Sequence, residues 1–485
     1  MPVFDSDRYP KTAALCPYNF VPFPPHNLCR YLRPSDIPAH NDADPHLYTG
    51  ELVVTVRACT PLFISEGPNS SSFFRNLEGY YCIPGSTMRG LVRSAMNILS
   101  LAPVQGAADI PGEKDHLGNR RTNDAEYQME RYRPYTAGLP AENISSAACI
   151  SYPQALLGFT TKAAAVFDQN GAVVIRPDGH VKTEGKKVSY RSRVSFGNLC
   201  AVGTPMPMGE RSLILKTPQL HHSKHYSEDG RDWDDPDGFC LRGHKQYLLR
   251  DLPGYDVGGN STIAPLPEGT QFRGTIHFHN LTDDELGLLL WSIRLDEGCY
   301  HVIGMGKPYG YGRSRISVDH LRLCTRNLYS LEGLCGGLTE EPSEKIEDLI
   351  QIYIKKATEL WNEAVKPSER ISSLRELSVL QDFFFLRSMI FPVSIARYMR
   401  KNGAVDEYAK RPDPLPTAAF LRNATAQPQG TTASPHRDPP NPVSSVPKKK
   451  KKESVPKAKD TPAKPQETAS AEALAALAAK YKKKH

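Results

Sequence analysis

Four glycines fall within nine positions, at Gly304, Gly306, Gly310 and Gly312, interleaved with Lys307, Tyr309, Tyr311 and Arg313 in the run GMGKPYGYGR. Glycine lets backbone N–H groups come close to a phosphate chain, Lys and Arg neutralise its charge, and tyrosine rings stack on bases. The combination suits single-stranded RNA, and it also suits a plain Gly/Tyr turn between two elements. A Walker-type phosphate loop does not fit. Such a loop leads from strand to helix and ends in Lys-Ser/Thr, whereas Pro308 follows Lys307 and the surrounding order is helix, loop, strand.

Other polar groups are weighed in the same way. His221, His222 and His225 stand near Asp229, Asp232, Asp234, Asp235 and Asp237. They could hold a divalent ion, but the stretch is irregular and reads as a solvated polar loop, so no metal site is assigned. His277 and His279 alternate on one face of the strand-like HFH. They could meet RNA on a sheet surface or simply be half-exposed. Arg131, Tyr132, Arg133 and Tyr135 mix charge with aromatic rings inside a Gly/Pro-punctuated insertion.

The elements that must position these groups follow from periodicity. Residues 1–48 are rich in Pro and aromatic residues, as in PYNF and VPFPP, and predict an extended arm. ELVVTVRA at 51–58 alternates as a half-buried strand. After IPGS, the segment STMRGLVRSAMNILS places Met88, Leu91, Val92, Ala95 and Leu99 on one helical face, with Ser86 as the expected N-cap. Apolar clusters recur at 154–159 and 189–199, and 270–279 reads as a strand. Thr282 and Glu285 then form a capping box that opens the helix DDELGLLLWSIRL. The Gly-rich loop delivers the chain into a last strand at 314–318.

That order, strand, helix, strands, helix, loop, strand, is the βαββαβ plan, so the fold class expected is α+β with a ferredoxin-like (RRM-like) core. The core spans 49–325, with insertions at about 101–150 and 203–262. Two helical patterns between 341 and 402, the second interrupted at Pro392, predict a helical cap. Residues 423–485 are rich in Pro, Ala, Ser and Lys, with five consecutive lysines from Lys448 to Lys452, and predict a disordered basic tail.

Composition sets further bounds. The chain has 485 residues, 39% of them hydrophobic, and a formal net charge of +7. Thr425–His485 carries thirteen Lys and Arg against five Asp and Glu, so the remainder is nearly neutral and any nucleic-acid contact there must be a local patch. The ten cysteines include no C-x-x-C pair and read as reduced thiols. The first residues, MPVFDSDRYPK, lack the basic and apolar segments of a secretion signal, and no apolar stretch is long enough to span a membrane. A cytoplasmic protein without a membrane partner is the expectation.

In its position before the last strand, the Gly-rich loop resembles that of CRISPR-associated RAMP proteins. Three further features agree in order: YCIPGSTMRG at 81–90, the pair LGF at 157–159 and RSRVSF at 191–196, and LRGHKQY at 241–247 taken with PYNF at 17–20. The last pairing resembles a large RAMP subgroup found with type III CRISPR loci. The resemblance spans roughly residues 16–320.

It implies a CRISPR RNA-binding subunit of an RNA-guided effector complex. Partners would be CRISPR RNA, complementary target RNA, other RAMP subunits and a large polymerase-like subunit, in a prokaryotic cytoplasm. Contacts to the RNA backbone are expected from Ser86, Arg89 and Arg93, and from the loop residues Gly304, Gly306, Lys307, Tyr309, Gly310, Gly312 and Arg313. Arg131, Tyr132, Arg133 and Tyr135 would form a thumb.

Catalysis is not expected. Relatives that cut target RNA use an aspartate between the first strand and first helix, and SEGPNSSSFFRNLEGYY contains none; Glu66 and Glu78 are its carboxylates. No cofactor is called for, Mg2+ only if target cleavage occurs. The alternative reading is a RAMP-fold endoribonuclease using His26 or His301 in general acid–base chemistry.

Overall fold

The computed structural model describes residues 1–32, 34–40, 44, 46–67, 70–103, 150–160, 164–165, 183–184, 189–215, 225–227, 242–252, 258–324, 337–402 and 405–426. The core elements are labelled in chain order. They are β1 (Tyr18–Val21), β2 (Tyr48–Ala58), β3 (Cys82–Ile83), α1 (Gly85–Leu99), α2 (Tyr152–Leu157), β4 (Val194–Phe196), β5 (Leu199–Ala201) and β6 (His244–Tyr247). There follow β7 (Gln271–Leu281), α3 (Asp283–Arg294), β8 (His301–Val302), β9 (Arg313–Cys324), β10 (Leu338–Glu340), α4 (Glu344–Ala364) and α5 (Ser378–Ser388).

Alternation in β2 sends Leu52, Val54 and Val56 fully inward, while Glu51, Thr55 and Arg57 face the other way. This strand therefore sits mid-sheet, antiparallel to β7 on one side and β9 on the other. The path runs β8-β9-β2-β7-β5-β3, with β4 also on β7 and β10 on β9. Reduced to the long elements, β9-β2-β7-β5 with α1 and α3 as crossovers is the strand order of a βαββαβ unit. A register shift between Val318 and His320 extends β9 well past the expected end at 318.

Helix α1 buries Met88, Val92, Ala95 and Leu99 against the sheet, as its period requires. It begins one residue before Ser86, because the N–H of Gly85 is met by the Asn198 side chain (3.0 Å) and Pro84 becomes the capping residue. A tertiary acceptor thus replaces the local cap. The cluster at 154–159 is the helix α2, entered through a Ser151/Gln154 capping box.

The Thr282/Glu285 box opens α3, and Glu285 serves two purposes. One carboxylate oxygen accepts from the Thr282 N–H (3.0 Å), while the group as a whole pairs with the fully buried Arg193. Arg30 and Tyr152 converge next door on Asp284, and Tyr31 donates to Glu285 (3.0 Å). The arm, α2, the RSRVSF segment and α3 are thereby tied at one buried ionic node.

The faces of α3 are apolar nearly all round, because α4 covers the side turned away from the sheet. A side chain at Gly287 would meet the Leu349 carbonyl oxygen at 2.0 Å, so the two helices touch at backbone distance. Tyr353 on α4 donates to the Leu99 carbonyl at the end of α1 (2.9 Å). Helix α5 stops at Ser388, ahead of Pro392, and the chain then pairs Ile390–Phe391 in parallel with Leu249–Arg250.

The extended arm is folded into the core: Phe4, Leu15, Phe20 and Leu28 are buried. Its strand β1 pairs antiparallel with β6, Tyr18 opposite Tyr247 and Phe20 opposite Lys245. The insertion expected to be irregular at 203–262 thus contributes β6, and also a two-stranded pairing of Arg211–Leu213 with Ser261–Ile263. Among the described residues no helix is long and apolar enough to cross a membrane.

Candidate nucleic-acid interface

A cleft of about 370 Å³ opens where four segments meet: the first turns of α1, the strand β6, the start of the Gly-rich loop, and α5. Ser86, Thr87, Gly90 and Ser94 line one wall at helical spacing. Gly304 and Lys307 line another, and Lys245, His301 and Arg387 also face the space. No Asp or Glu of the described residues lines it.

The cations differ in how they are held. The Lys245 ammonium donates to the Tyr226 hydroxyl (2.8 Å) and lies 3.8 Å from the centre of the Tyr18 ring. Arg387 is only 4% exposed, and its Nη2 donates to the Tyr247 carbonyl (2.6 Å). Its Nε is buried without a partner, and burial draws its pKa down to about 10. Lys307 is also drawn below the ordinary lysine value, first by burial and then by the charge of Arg387. The charge of Arg387 thus weighs on Lys307, and with no carboxylate among the described lining residues the cleft is a place where negative charge is stabilised.

Of the groups expected to touch RNA, Ser86, Gly304 and Lys307 are brought together here. Arg89 and Arg93 lie on another face of α1. Arg89 donates to the Leu157 carbonyl (2.6 Å) and closes the end of α2, while burial, then Arg89, lowers the pKa of Arg93. Arg313 donates to the Cys59 carbonyl (3.3 Å), and Tyr309 donates to the Ile214 carbonyl (3.2 Å).

The glycines do more for the turn than for an open cradle. All four have positive φ, and Gly306 and Gly310 flank a short 3-10 turn over Lys307–Tyr309. The N–H groups of Met305 and Gly312 are spent on the Phe63 and Pro61 carbonyls, and Tyr311 is buried in the core. At Gly304, a Cβ would lie 2.2 Å from the Phe63 carbonyl oxygen. Much of the loop's backbone is therefore tied to the segment 59–64, and the part left facing the cleft is Gly304 and Lys307.

The catalytic candidates are scattered. Glu66 and Glu78 are exposed on the excursion between β2 and β3, Glu78 in a turn held by the Asn76 side chain, and neither lines the cleft. His26 packs edge-on against Trp361. His301 does line the cleft, but its Nε2 bonds to the Ile293 carbonyl (2.9 Å) and burial lowers its pKa to about 4. A ring that weakly basic is neutral near pH 7 and poorly matched to proton transfer there. Arg131, Tyr132, Arg133 and Tyr135, like His221, His222 and the lysine-rich tail, lie outside the described residues. Among the described residues no cluster of His, Cys, Asp and Glu is arranged to hold a metal.

Sequence reasoning missed two of the three cations. Lys245 lies in a segment singled out only for its resemblance. Arg387 carried a usable signal: it is the lone charge within the apolar run FFFLRSMIF.

Residues 55–315, more than half of the chain, match the family model described as the RAMP superfamily. No curated protein matches the chain. Among solved structures, the crystal structure of Csc2 from Thermofilum pendens is similar at 15% identity. The match covers 69% of this chain and 96% of that one with a TM-score of 0.28, too loose a superposition to carry geometry across.

Proposed function

Because the chain belongs to the RAMP superfamily, we propose that it is a CRISPR RNA-binding subunit of an RNA-guided effector complex and that it holds the RNA backbone without cutting it. The observation that carries this reading is the cleft. The start of α1 and the Gly-rich loop, far apart in sequence, meet there around Lys307 and Arg387, with no carboxylate among the described lining residues to compete for them. A helix N-terminus and unpaired cations favour a phosphate chain.

Assignment to a type III complex is supported by the paired segments PYNF and LRGHKQY, which the fold sets side by side as β1 and β6. Stacked RAMP subunits, a large polymerase-like subunit and a cytoplasmic setting belong to the same proposal. The thumb role of Arg131, Tyr132, Arg133 and Tyr135 remains part of it.

The test is a mobility-shift assay with the full chain and labelled CRISPR repeat RNA. A shift without cleavage is expected, with affinity falling as salt rises, and Lys307→Met should weaken it about tenfold. Glu66→Ala and Glu78→Ala should leave it unchanged. Metal-independent cleavage that disappears in His301→Asn would instead establish the alternative, a RAMP-fold endoribonuclease.

A further inference from the structure

We infer that the cleft between α1, the Gly-rich loop and α5 takes the phosphorylated end of an RNA strand, a nucleotide bearing a phosphate monoester, in preference to an internal phosphodiester. The inference rests on the RNA-binding reading and adds what the site selects.

Charge is the first argument. Arg387 is almost wholly buried, has no carboxylate partner among the described residues, and leaves a buried Nε unbonded. No described acid or hydrogen-bond acceptor meets the Lys307 ammonium beside it. Lys245 is satisfied by tyrosines rather than by a carboxylate, so its charge is uncancelled too. His301, the histidine lining the cleft, is held neutral near pH 7 by burial, and the Tyr247 phenol adds no positive charge. The first turn of α1 adds the partial positive charge of a helix start, about half a unit. An internal phosphodiester brings a single negative charge, whereas a terminal monoester brings about −1.5 to −2 at pH 7, with three strong acceptor oxygens.

Size and lining are the second argument. A cleft of about 370 Å³ exceeds what one phosphate fills and sits at the small end of ligand clefts. Leu91, Val302 and Phe383 line the same cleft and add apolar surface that suits a base beside the cations that suit the phosphate. Arg387 comes from α5, beyond the residues 55–315 that match the family model, so the helical cap supplies a binding group of its own.

Fluorescence anisotropy with the full chain and one short single-stranded RNA tests this. The strand is prepared with a 5′-phosphate, with a 3′-phosphate, or with hydroxyls at both ends. One phosphorylated form should bind about tenfold tighter than the hydroxyl form, the scale of an added charge-assisted contact. The ratio should fall to about one in Lys307→Met, whatever the absolute affinity of that variant, and likewise in Arg387→Gln if it folds. In the unmodified chain the ratio should also shrink on going from about pH 7.5 to about pH 5, because the monoester takes up a proton near pH 6 and keeps a single negative charge.

RNA binding with no dependence on the terminal phosphate would overturn the inference and leave the RNA-binding reading standing. Failure to bind any of the three strands would overturn both. Displacement of the strand by a free nucleoside monophosphate, with no difference between the RNA ends, would show a small-molecule site and equally refute it.

Discussion

At the level of single residues, the Gly-rich loop separates two roles that its composition merges. Gly304 is required by the turn: its φ is +85° and a Cβ there would strike the Phe63 carbonyl. Gly304→Ala should therefore lower folding stability by about 2 kcal/mol or more, read from the urea midpoint, with any loss of RNA binding following from that. Lys307 is the reverse case. Its charge is half-buried beside Arg387 with no acid among the described residues to offset it, so Lys307→Met should leave the urea midpoint unchanged or raise it while binding falls. A stable Gly304→Ala protein with lost RNA binding would return the glycine to the interface. The sequence singled out Lys307 and Ser86, and the fold brings both to the cleft. It could not show that Arg89 is consumed by the Leu157 carbonyl, since that depends on a helix 68 residues further along the chain.

At the level of elements, the paired carboxylates of α3 do structural work that reaches across the chain. Arg193 and Glu285 are both wholly buried, and Glu285 also caps its helix. Removing one partner strands the other charge in the interior, so Arg193→Met or Glu285→Gln should each cost about 3–5 kcal/mol. The double variant Arg193→Met with Glu285→Gln should recover much of that loss, as a double-mutant cycle by chemical denaturation would show. Additive losses would mean that the two residues act through separate neighbours. Periodicity made the long strands and α1, α3 and α4 legible, since each presents one continuous apolar pattern. It failed on β6, whose sequence HKQY has no apolar alternation and becomes a strand through the tertiary pairing with the arm. It also missed α2, too short for a period to register. The helix-start error came from the same source, a tertiary partner, Asn198, taking over a local role.

Across the whole molecule, packing of the arm, the sheet and the cap takes up one buried histidine, His301, and one half-buried histidine, His244, and this sets how the fold responds to acid. Burial holds His301 at a pKa of about 4 behind the cleft and His244 at about 4 on β6, where its ring meets Phe23 edge-on. Both are neutral in the folded chain, and both return to about 6.5 when it unfolds. Below pH 6.5 the unfolded state therefore binds protons that the folded state refuses. The stability contributed by each histidine is complete above about pH 6.5 and is lost as pH falls toward about 4, on the order of 3 kcal/mol for each. Asp284 titrates in a lower window: burial opposes its charge, but Arg30 and the Thr282 and Tyr152 hydroxyls outweigh this and hold it below the usual carboxylate range. Its contribution stays in place until the medium is more acidic. Urea midpoints between about pH 7 and pH 4.5 therefore report chiefly on the histidines. His301→Asn should reduce the slope of stability against pH by roughly half, and the pair His244→Asn with His301→Asn should nearly flatten it. An unchanged slope in the double variant would show that other groups carry the acid response. It would also undo the argument that His301 is too weakly basic for general acid–base chemistry at the cleft.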